Sequence, residues 1–318
     1  MHFKNKKLRS SIQVAALALL ATFPTVGHAV DLTVDLTPDT TRYLSDPSFL
    51  PLQGQIYSET IYTHTDRSND LLFTGEPFKE HFSTSTDEGE QMFRYGVTDR
   101  LTLNASGSYS SIDQHTSASF ASMSLGSNSS HNSDFNNPSF GATYRVIEQT
   151  DSPVSFDVTG SYSPSAVDQS SQSGSVNLFL NRETRFVTIQ GEIGATYIDQ
   201  YGGRNTPFIT DHNGYWNYFA GVRSQIRLTD QFSINSGVLY SKDTDITYDD
   251  GAFRDSQDGT WTPFVTLSYG IVPGKVDVAF EYDHAFIGGD QRSDSFGLFG
   301  KFSNDSRNLY AAHLRLLF

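Results

Sequence analysis

The feature that most constrains the fold of this chain is a regular alternation of apolar and polar residues. Residues 100–109 read RLTLNASGSY, which places Leu101, Leu103 and Tyr109 on one side of an extended chain and polar residues on the other. Successive side chains of a β-strand point to opposite faces, so this segment is predicted to be a strand with one apolar face. The same alternation recurs at residues 154–162, 187–197, 232–240 and 276–282. The chain is therefore predicted to be an all-β protein.

The lengths of the connections distinguish a barrel from a soluble sandwich. Short connections are predicted near residues 98–99, 150–152, 183–184, 229–230 and 272–274. Long polar connections are predicted at residues 65–87, 113–137, 164–172, 199–213, 243–259 and 288–307. The two kinds alternate along the chain, and these eleven connections join twelve strands. Short turns at one end, long loops at the other and an even strand number are typical of outer-membrane barrels.

Aromatic residues at the strand ends support a barrel in a membrane. Such a barrel needs an apolar outer band about 25 Å tall with aromatic residues at both rims. Five tyrosines end predicted strands on their apolar faces, just before long connections: Tyr109, Tyr162, Tyr197, Tyr240 and Tyr282. We therefore predict a single antiparallel, up-and-down transmembrane β-barrel of about 12 strands over residues 55–318. Its short turns would be periplasmic, its long loops extracellular, and its outer surface in contact with outer-membrane lipids.

The last predicted strand carries a further signal. Tyr310, Leu314, Leu316 and Phe318 lie on one face of this strand, and Phe318 is the last residue of the sequence. The pattern resembles the C-terminal signal of bacterial outer-membrane proteins. We therefore expect these four residues to engage the barrel-assembly machinery of a Gram-negative outer membrane.

The first 29 residues are predicted to be a signal peptide. Basic residues between Lys4 and Arg9 precede an apolar segment at residues 12–23, and Gly27-His28-Ala29 supplies small residues for cleavage. The apolar segment is too short to cross a bilayer as a helix. The leader is therefore expected to direct export and then to be removed.

Residues 30–54 are predicted to be a separate N-terminal segment. Alternation begins there, but Pro38, Pro47 and Pro51 interrupt it, and proline cannot donate a hydrogen bond to a strand ladder. The segment is either periplasmic or partly inside the lumen, and the sequence leaves both positions open.

Composition excludes several functional classes. The chain has no cysteine, which excludes disulfides, thiol chemistry and cysteine-bound metals. Without the leader, 18 basic residues stand against 36 acidic ones, and this net charge of −18 argues against nucleic acid as a partner. The acidic residues between positions 243 and 258 lack the spacing of an EF-hand loop, so no metal ligand is assigned.

Polar residues on the inner strand faces are the candidate functional residues, because charges in membrane-spanning strands should avoid lipid. The predicted lumen and selectivity residues are Arg94, Arg100, Arg145, Glu192, Arg223, Arg227, Asp277, Glu281, Asp283 and Arg315. In one interpretation, the arginines 223, 227 and 315 pair with the acids 277, 281 and 283 and fill the lumen with salt bridges. In the other, the two signs lie on opposing walls and orient a passing solute. Twelve strands should enclose a passage narrower than that of a 16-stranded porin.

A lipid-hydrolysing barrel is the enzymatic alternative. It requires a serine in contact with a histidine, and a third group that orients the histidine. The candidate catalytic histidines are His115, His131, His212 and His284, and none shows this arrangement in the predicted strands. We therefore predict no catalytic residue, no enzymatic activity and no cofactor.

One hairpin resembles a known family. Residues 88–109 read EGEQMFRYGVTDRLTLNASGSY, and the core RYGVTDRL at residues 94–101 is similar to a hairpin of the outer-membrane family labelled the meta-pathway of phenol degradation. Members of that family are regarded as outer-membrane transporters, often for aromatic or other apolar compounds. The resemblance implies an outer-membrane barrel and a small-molecule solute, with aromatic or hydrophobic compounds among the candidates. It transfers no site residues.

These features together predict an outer-membrane channel for the passive diffusion of small molecules. Passive transport needs no energy source, and the sequence contains no Walker or dinucleotide-binding motif. A barrel lipid hydrolase is one alternative. A plugged barrel with a structural or surface-interaction role is the other.

Overall fold

The structure is a computed structural model in which strands dominate. It describes residues 43–73, 77–121, 123–150, 152–165, 171–199, 213–248, 253–256, 258–288, 291–294 and 299–318. The predicted signal peptide and residues 30–42 of the predicted N-terminal segment lie outside these ranges. Within these ranges, no helix is long and apolar enough to cross a membrane.

The described residues form sixteen strands, numbered in chain order. The first eight are β1 (Ile56–Phe73), β2 (Phe78–Gly96), β3 (Leu101–Phe120), β4 (Met123–Phe135), β5 (Ser139–Ile147), β6 (Ser155–Ser163), β7 (Ser173–Glu183) and β8 (Val187–Ile198). The others are β9 (Tyr215–Arg227), β10 (Phe232–Asp243), β11 (Ile246–Tyr248), β12 (Phe253–Ser256), β13 (Thr260–Val272), β14 (Val276–Ile287), β15 (Gln291–Asp294) and β16 (Phe299–Leu317).

Twelve of these strands close into a barrel in the described part of the chain. Neighbours pair antiparallel in the order β1-β2-β3-β5-β6-β7-β8-β9-β10-β13-β14-β16, and β16 returns to β1. At this seam Glu59 pairs with Arg315. The backbone of Phe318 also exchanges hydrogen bonds of 2.8 and 3.1 Å with Ile56. The twelve-stranded, up-and-down barrel predicted from the sequence is confirmed.

The barrel has an apolar outer surface and a polar interior. In β8, Ile189 and Ile193 are 42% and 56% exposed, whereas the side chains of Thr188, Gln190 and Glu192 are buried. The alternation of the strand thus sends large apolar side chains outward and polar ones inward. This is the reverse of a water-soluble domain, and it suits a barrel whose outer face meets hydrocarbon.

Aromatic side chains lie on the outer surface towards both ends of the barrel. Near the long connections, which define the loop end, Tyr197 packs on Trp216 and Tyr240 on Trp261, with ring centroids 5.1 and 4.8 Å apart. Near the short connections, which define the turn end, the exposed aromatic residues include Tyr95, Tyr144 and Tyr269. The two groups bracket the apolar band, as aromatic girdles do in membrane barrels.

Several strands are longer than the sequence analysis predicted. β1 and β2 pair through most of the predicted loop 65–87, and β3 and β4 pair within the predicted loop 113–137. These extensions carry many polar residues on both faces, so the alternation that reveals a strand is weak there. Pairing continues because backbone hydrogen bonds do not depend on that pattern. The loop end therefore carries protruding β-hairpins.

Candidate functional site: the polar lumen

Residues 43–51, named the inner segment here, lie against inward side chains at the turn end of the lumen. The Ser45 hydroxyl is 3.2 Å from the Ser233 hydroxyl on β10 and accepts a hydrogen bond of 2.8 Å from the Gln225 amide on β9. Its backbone carbonyl accepts a further bond of 3.1 Å from the Asn235 amide. The segment is thus attached to the barrel wall through hydrogen bonds between buried polar groups.

Asp46 makes the strongest of these attachments. Its carboxylate lies 2.5 Å from a guanidinium nitrogen of Arg227, and both side chains are only 6% exposed. The Thr188 hydroxyl donates to the same carboxylate oxygen at 2.7 Å. The other oxygen accepts a 2.8 Å bond from the backbone N–H of Ser48, which fixes a local turn. A buried, hydrogen-bonded ion pair of this kind is costly to break from one side.

Further contacts extend the inner segment across the lumen. The Gln190 amide donates to the Pro47 carbonyl at 2.9 Å, and Arg145 donates to the Ser48 carbonyl at 2.7 Å. On the opposite side, Phe49 packs on Tyr57 of β1 with ring centroids 5.6 Å apart. Because β8 and β1 lie on opposite sides of a twelve-stranded ring, the inner segment crosses the turn end of the lumen and narrows it.

Five of the six arginines predicted to line the lumen contact carboxylates in the described part of the chain, and Arg94 is the exception. Arg145 binds Asp157 with two hydrogen bonds of 2.8 and 3.0 Å, and Arg223 binds Glu192 with three of 2.7–3.0 Å. Arg227 binds Glu183 at 2.7 Å in addition to Asp46. Charge-assisted, bidentate contacts of this kind fix the guanidinium planes.

The partners differ from those proposed in the salt-bridge interpretation. Of the three arginines, Arg315 lies near one of the expected acids, with 3.4 Å between it and Asp277. Arg223 and Arg227 contact residues of the adjacent β8, the preceding β7 and the inner segment instead. The reason is distance, because β14, which carries the expected acids, is three strands away from β9 in the ring.

Arg315 belongs to a buried charge cluster at the seam of the barrel. Glu59 of β1 accepts hydrogen bonds of 2.7 Å from Arg315 and 2.9 Å from the Tyr57 hydroxyl. The Nδ1 atom of His313 lies 3.0 Å from the Glu59 carboxylate. Glu59 is a central residue of this cluster that the sequence analysis missed. Its segment, IYSETIYTHT, mixes apolar and polar residues on both faces, so no periodicity singled it out.

The remaining predicted residues occupy three different environments. Arg100 binds Glu148 at 2.9 Å among the turns, so it lies at the edge of the barrel. The guanidinium of Arg94 lies 5.2 Å from the centre of the Tyr57 ring. Glu281 accepts a 2.7 Å hydrogen bond from the Thr266 hydroxyl, and the adjacent inward residue Asp283 has a buried carboxylate oxygen with no hydrogen bond in the described residues.

One serine–histidine pair and one aspartate–histidine pair occur on the protruding β3–β4 hairpin. His115 lies 3.0 Å from the Ser129 hydroxyl, and His131 lies 2.8 Å from Asp113. Where the structure describes this hairpin, no contact joins the two pairs into the serine, histidine and carboxylate chain that a hydrolase requires. His284 packs on the outward Phe286, and His212 lies outside the described residues.

Comparisons with known proteins identify the fold. No family model matches the chain, and no curated protein matches it. An outer membrane channel from Pseudomonas putida F1 is similar in structure, with a TM-score of 0.56 and 11% identity over 85% of this chain and 97% of that one. A FadL homologue from Pseudomonas aeruginosa has a TM-score of 0.44 and 10% identity over 83% and 90% of the two chains. The KdgM porin has a TM-score of 0.40 and 12% identity over 80% and 97%.

Proposed function

We propose that this protein is a channel of the Gram-negative outer membrane through which small molecules diffuse passively. The observation that carries the proposal is the reversed polarity of the barrel, which is apolar outside and lined by polar and charged side chains inside. A closed barrel satisfies its backbone hydrogen bonds within the hydrocarbon of a bilayer. Its polar interior lets polar solutes cross, whereas the hydrocarbon excludes them. The fold that it shares with an outer membrane channel from Pseudomonas putida F1 supports the same function.

The inner segment makes the channel a restricted one. It crosses the turn end of the lumen and is held there by Asp46 and the backbone carbonyls of residues 45–48. Passage to the periplasm therefore depends on displacement of this segment, or on gaps around it. In this proposal, Arg145 and Arg227 hold the constriction, whereas Glu281 and Asp283 set the charge of the wider part of the lumen.

Two further parts of the proposal concern the class of solute and the way the protein reaches and enters the outer membrane. The resemblance of residues 88–109 to the meta-pathway family favours small aromatic or hydrophobic solutes. We further propose that residues 1–29 direct export and that the outward C-terminal face ending in Phe318 engages the barrel-assembly machinery. The exposed side chains of Tyr310, Leu314 and Phe318 on that face support this second assignment.

A charge on the outer face should destabilise the protein if that face meets lipid. Ile193 lies outward in the middle of β8, and Ile193→Arg is expected to cost about 2–4 kcal/mol of folding free energy in phospholipid vesicles. Thr196→Arg, on the inward face of the same strand, is the matched control and should cost much less. Urea-induced unfolding in vesicles measures both, and equal stability of the two variants would contradict the membrane assignment.

Conductance in planar bilayers tests the channel itself. Folded protein should give discrete current steps that are absent from protein-free bilayers, and the steps should be small because the inner segment narrows the lumen. Folding is checked independently by the heat-dependent shift in gel mobility that compact barrels show. If folded wild-type protein and a variant with a loosened inner segment both carry no current, the plugged structural barrel is the better description.

A further inference from the structure

We propose that the part of the lumen between the inner segment and the loop end selects organic cations that carry an aromatic or other apolar group. The cation would lie against carboxylates on one wall, and the apolar group against a phenyl-rich wall opposite. The inference rests on the proposed channel function and specifies the class of solute.

The first wall is lined by apolar rings. Phe179 on β7, Phe219 on β9, Leu239 on β10 and Phe264 on β13 lie on the inward faces of their strands and are partly exposed. The guanidinium of Arg223 lies 5.7 Å from the centre of the Phe264 ring, so Phe179, Phe219 and Leu239 are the apolar side chains available to a solute. Inward glycines make room for them. A Cβ at Gly194 would come within 2.3 Å of the Phe219 ring. A Cβ at Gly237 would likewise come within 2.7 Å of the Phe264 ring. The rings therefore cover the wall there and present apolar surface to an otherwise polar lumen.

The second wall carries carboxylates that lack an arginine or lysine partner in the described ranges, and Glu281 lies 3.9 Å from His313. Glu88 on β2, together with Glu281 and Asp283 on β14, forms no ion pair with arginine or lysine among the residues described. The same holds for Glu90, two residues from Glu88 on the same face. Elsewhere in the lumen, inward carboxylates such as Glu192 are paired with arginine. The wall thus differs from the rest of the interior in its unneutralised negative charge.

The register brings these carboxylates to the same part of the wall. Glu281 pairs with Ala311 of β16, Ala311 adjoins Thr63 of β1, and Thr63 pairs with Glu88. The two carboxylates therefore flank two small side chains, those of Ala311 and Thr63. Arg94, Arg307 and His313 lie on the same side of the lumen, so the four carboxylates outnumber the basic groups on this wall.

The two walls meet where Phe264 of β13 pairs with Asp283 of β14, and elsewhere they face each other across the lumen. In the ring of twelve strands, β2 lies opposite β9, and β16 lies opposite β7. Glu88 and Phe219 are each eight residues from the turn-end residue of their strand, Gly96 and Arg227 respectively, so they lie at a comparable height. A molecule that bridges the lumen at this level would contact carboxylates with one end and phenyl rings with the other.

This arrangement favours a particular chemistry. A carboxylate wall attracts cations and repels anions, more strongly in a narrow lumen than in bulk water. Phenyl faces bind apolar groups and also attract cations through their quadrupole. An organic cation with a ring satisfies both walls at once. A small inorganic cation or a neutral hydrocarbon satisfies one of them.

Equilibrium dialysis of the folded full-length mature protein in detergent tests the inference with three probes. Binding of 2-phenylethylammonium is expected to be about tenfold tighter than that of ethylammonium, which lacks the ring, or of phenylacetate, which has the opposite charge. Protein-free micelles provide the blank. Equal binding of the three probes would overturn the inference.

Variants assign the binding to the two walls. The double variant Glu88→Gln, Glu281→Gln should weaken the binding of both ammonium probes by about tenfold. Asp87→Asn changes the outward neighbour of Glu88 and should leave binding unchanged. Phe219→Leu should abolish the preference for the phenyl-bearing cation and leave ethylammonium unaffected. Wild-type binding by the double variant would overturn the inference. Because dialysis needs no current, this failure is distinguishable from a failure of the channel assignment, which bilayer conductance measures.

Discussion

Replacing Asp46 with alanine is expected to increase the conductance of the protein in planar bilayers by freeing the inner segment from the barrel wall. The carboxylate contacts Arg227 and Thr188 and also fixes the turn of its own segment through Ser48. Hydrogen bonds to charged groups contribute about 1.5–3 kcal/mol each, so losing those that Asp46 accepts from Arg227 and Thr188 costs about 3 kcal/mol or more. A loss of that size raises the ratio of released to seated segments roughly a hundredfold, because each 1.4 kcal/mol is a factor of ten.

The barrel itself should tolerate the Asp46→Ala change. Arg227 keeps its 2.7 Å contact with Glu183 and its hydrogen bonds to the carbonyls of Thr184 and Arg185, so no unpaired charge remains in the wall. Asp230→Ala, an exposed turn residue at the same end of the barrel, is the matched control and should leave the conductance unchanged. The outcome that contradicts the role of the inner segment is an Asp46→Ala channel with wild-type conductance and wild-type gel mobility.

The sequence predicted the architecture because membrane barrels encode it redundantly. The alternation in β8, the regular order of short and long connections and the tyrosines at strand ends all derive from one requirement, an apolar outside and a polar inside. Each strand repeats that requirement independently, so a few irregular strands do not obscure the count. The hairpin extensions of β1 to β4 escaped prediction because water on both faces removes the requirement.

The lumen was predicted less well, since its contacts depend on the register between strands and on the path of the N-terminal segment. Periodicity indicated that Arg223 and Arg227 face inward, but it could not indicate which carboxylate each one meets. The inward position of Arg227 follows from periodicity, but its contact with Asp46 of the inner segment does not. Three prolines interrupt the alternation in residues 30–54, so the sequence does not predict where the inner segment lies relative to the barrel.

Glu59 illustrates how much a single unpredicted residue can contribute to the closed barrel. It lies on the seam where the first and last strands meet, and it binds Arg315 and His313 at 2.7 and 3.0 Å. All three side chains are nearly inaccessible to water. Closure of the barrel therefore brings these groups together, and their pairing offsets the cost of removing them from water.

Glu59→Ala is therefore expected to lower the free energy of unfolding by about 3–5 kcal/mol, because it leaves the Arg315 guanidinium buried with only the longer contact to Asp277. Unfolding by urea in phospholipid vesicles, followed by tryptophan fluorescence, measures the loss. Glu88→Ala removes an inward carboxylate that has no basic partner in the described residues, and it should change stability by less than about 1 kcal/mol. If the two variants unfold at the same urea concentration, the seam cluster does not stabilise the barrel. If Glu59→Ala is selectively unstable, closure of the barrel depends on charge pairing between its first and last strands as well as on backbone hydrogen bonds.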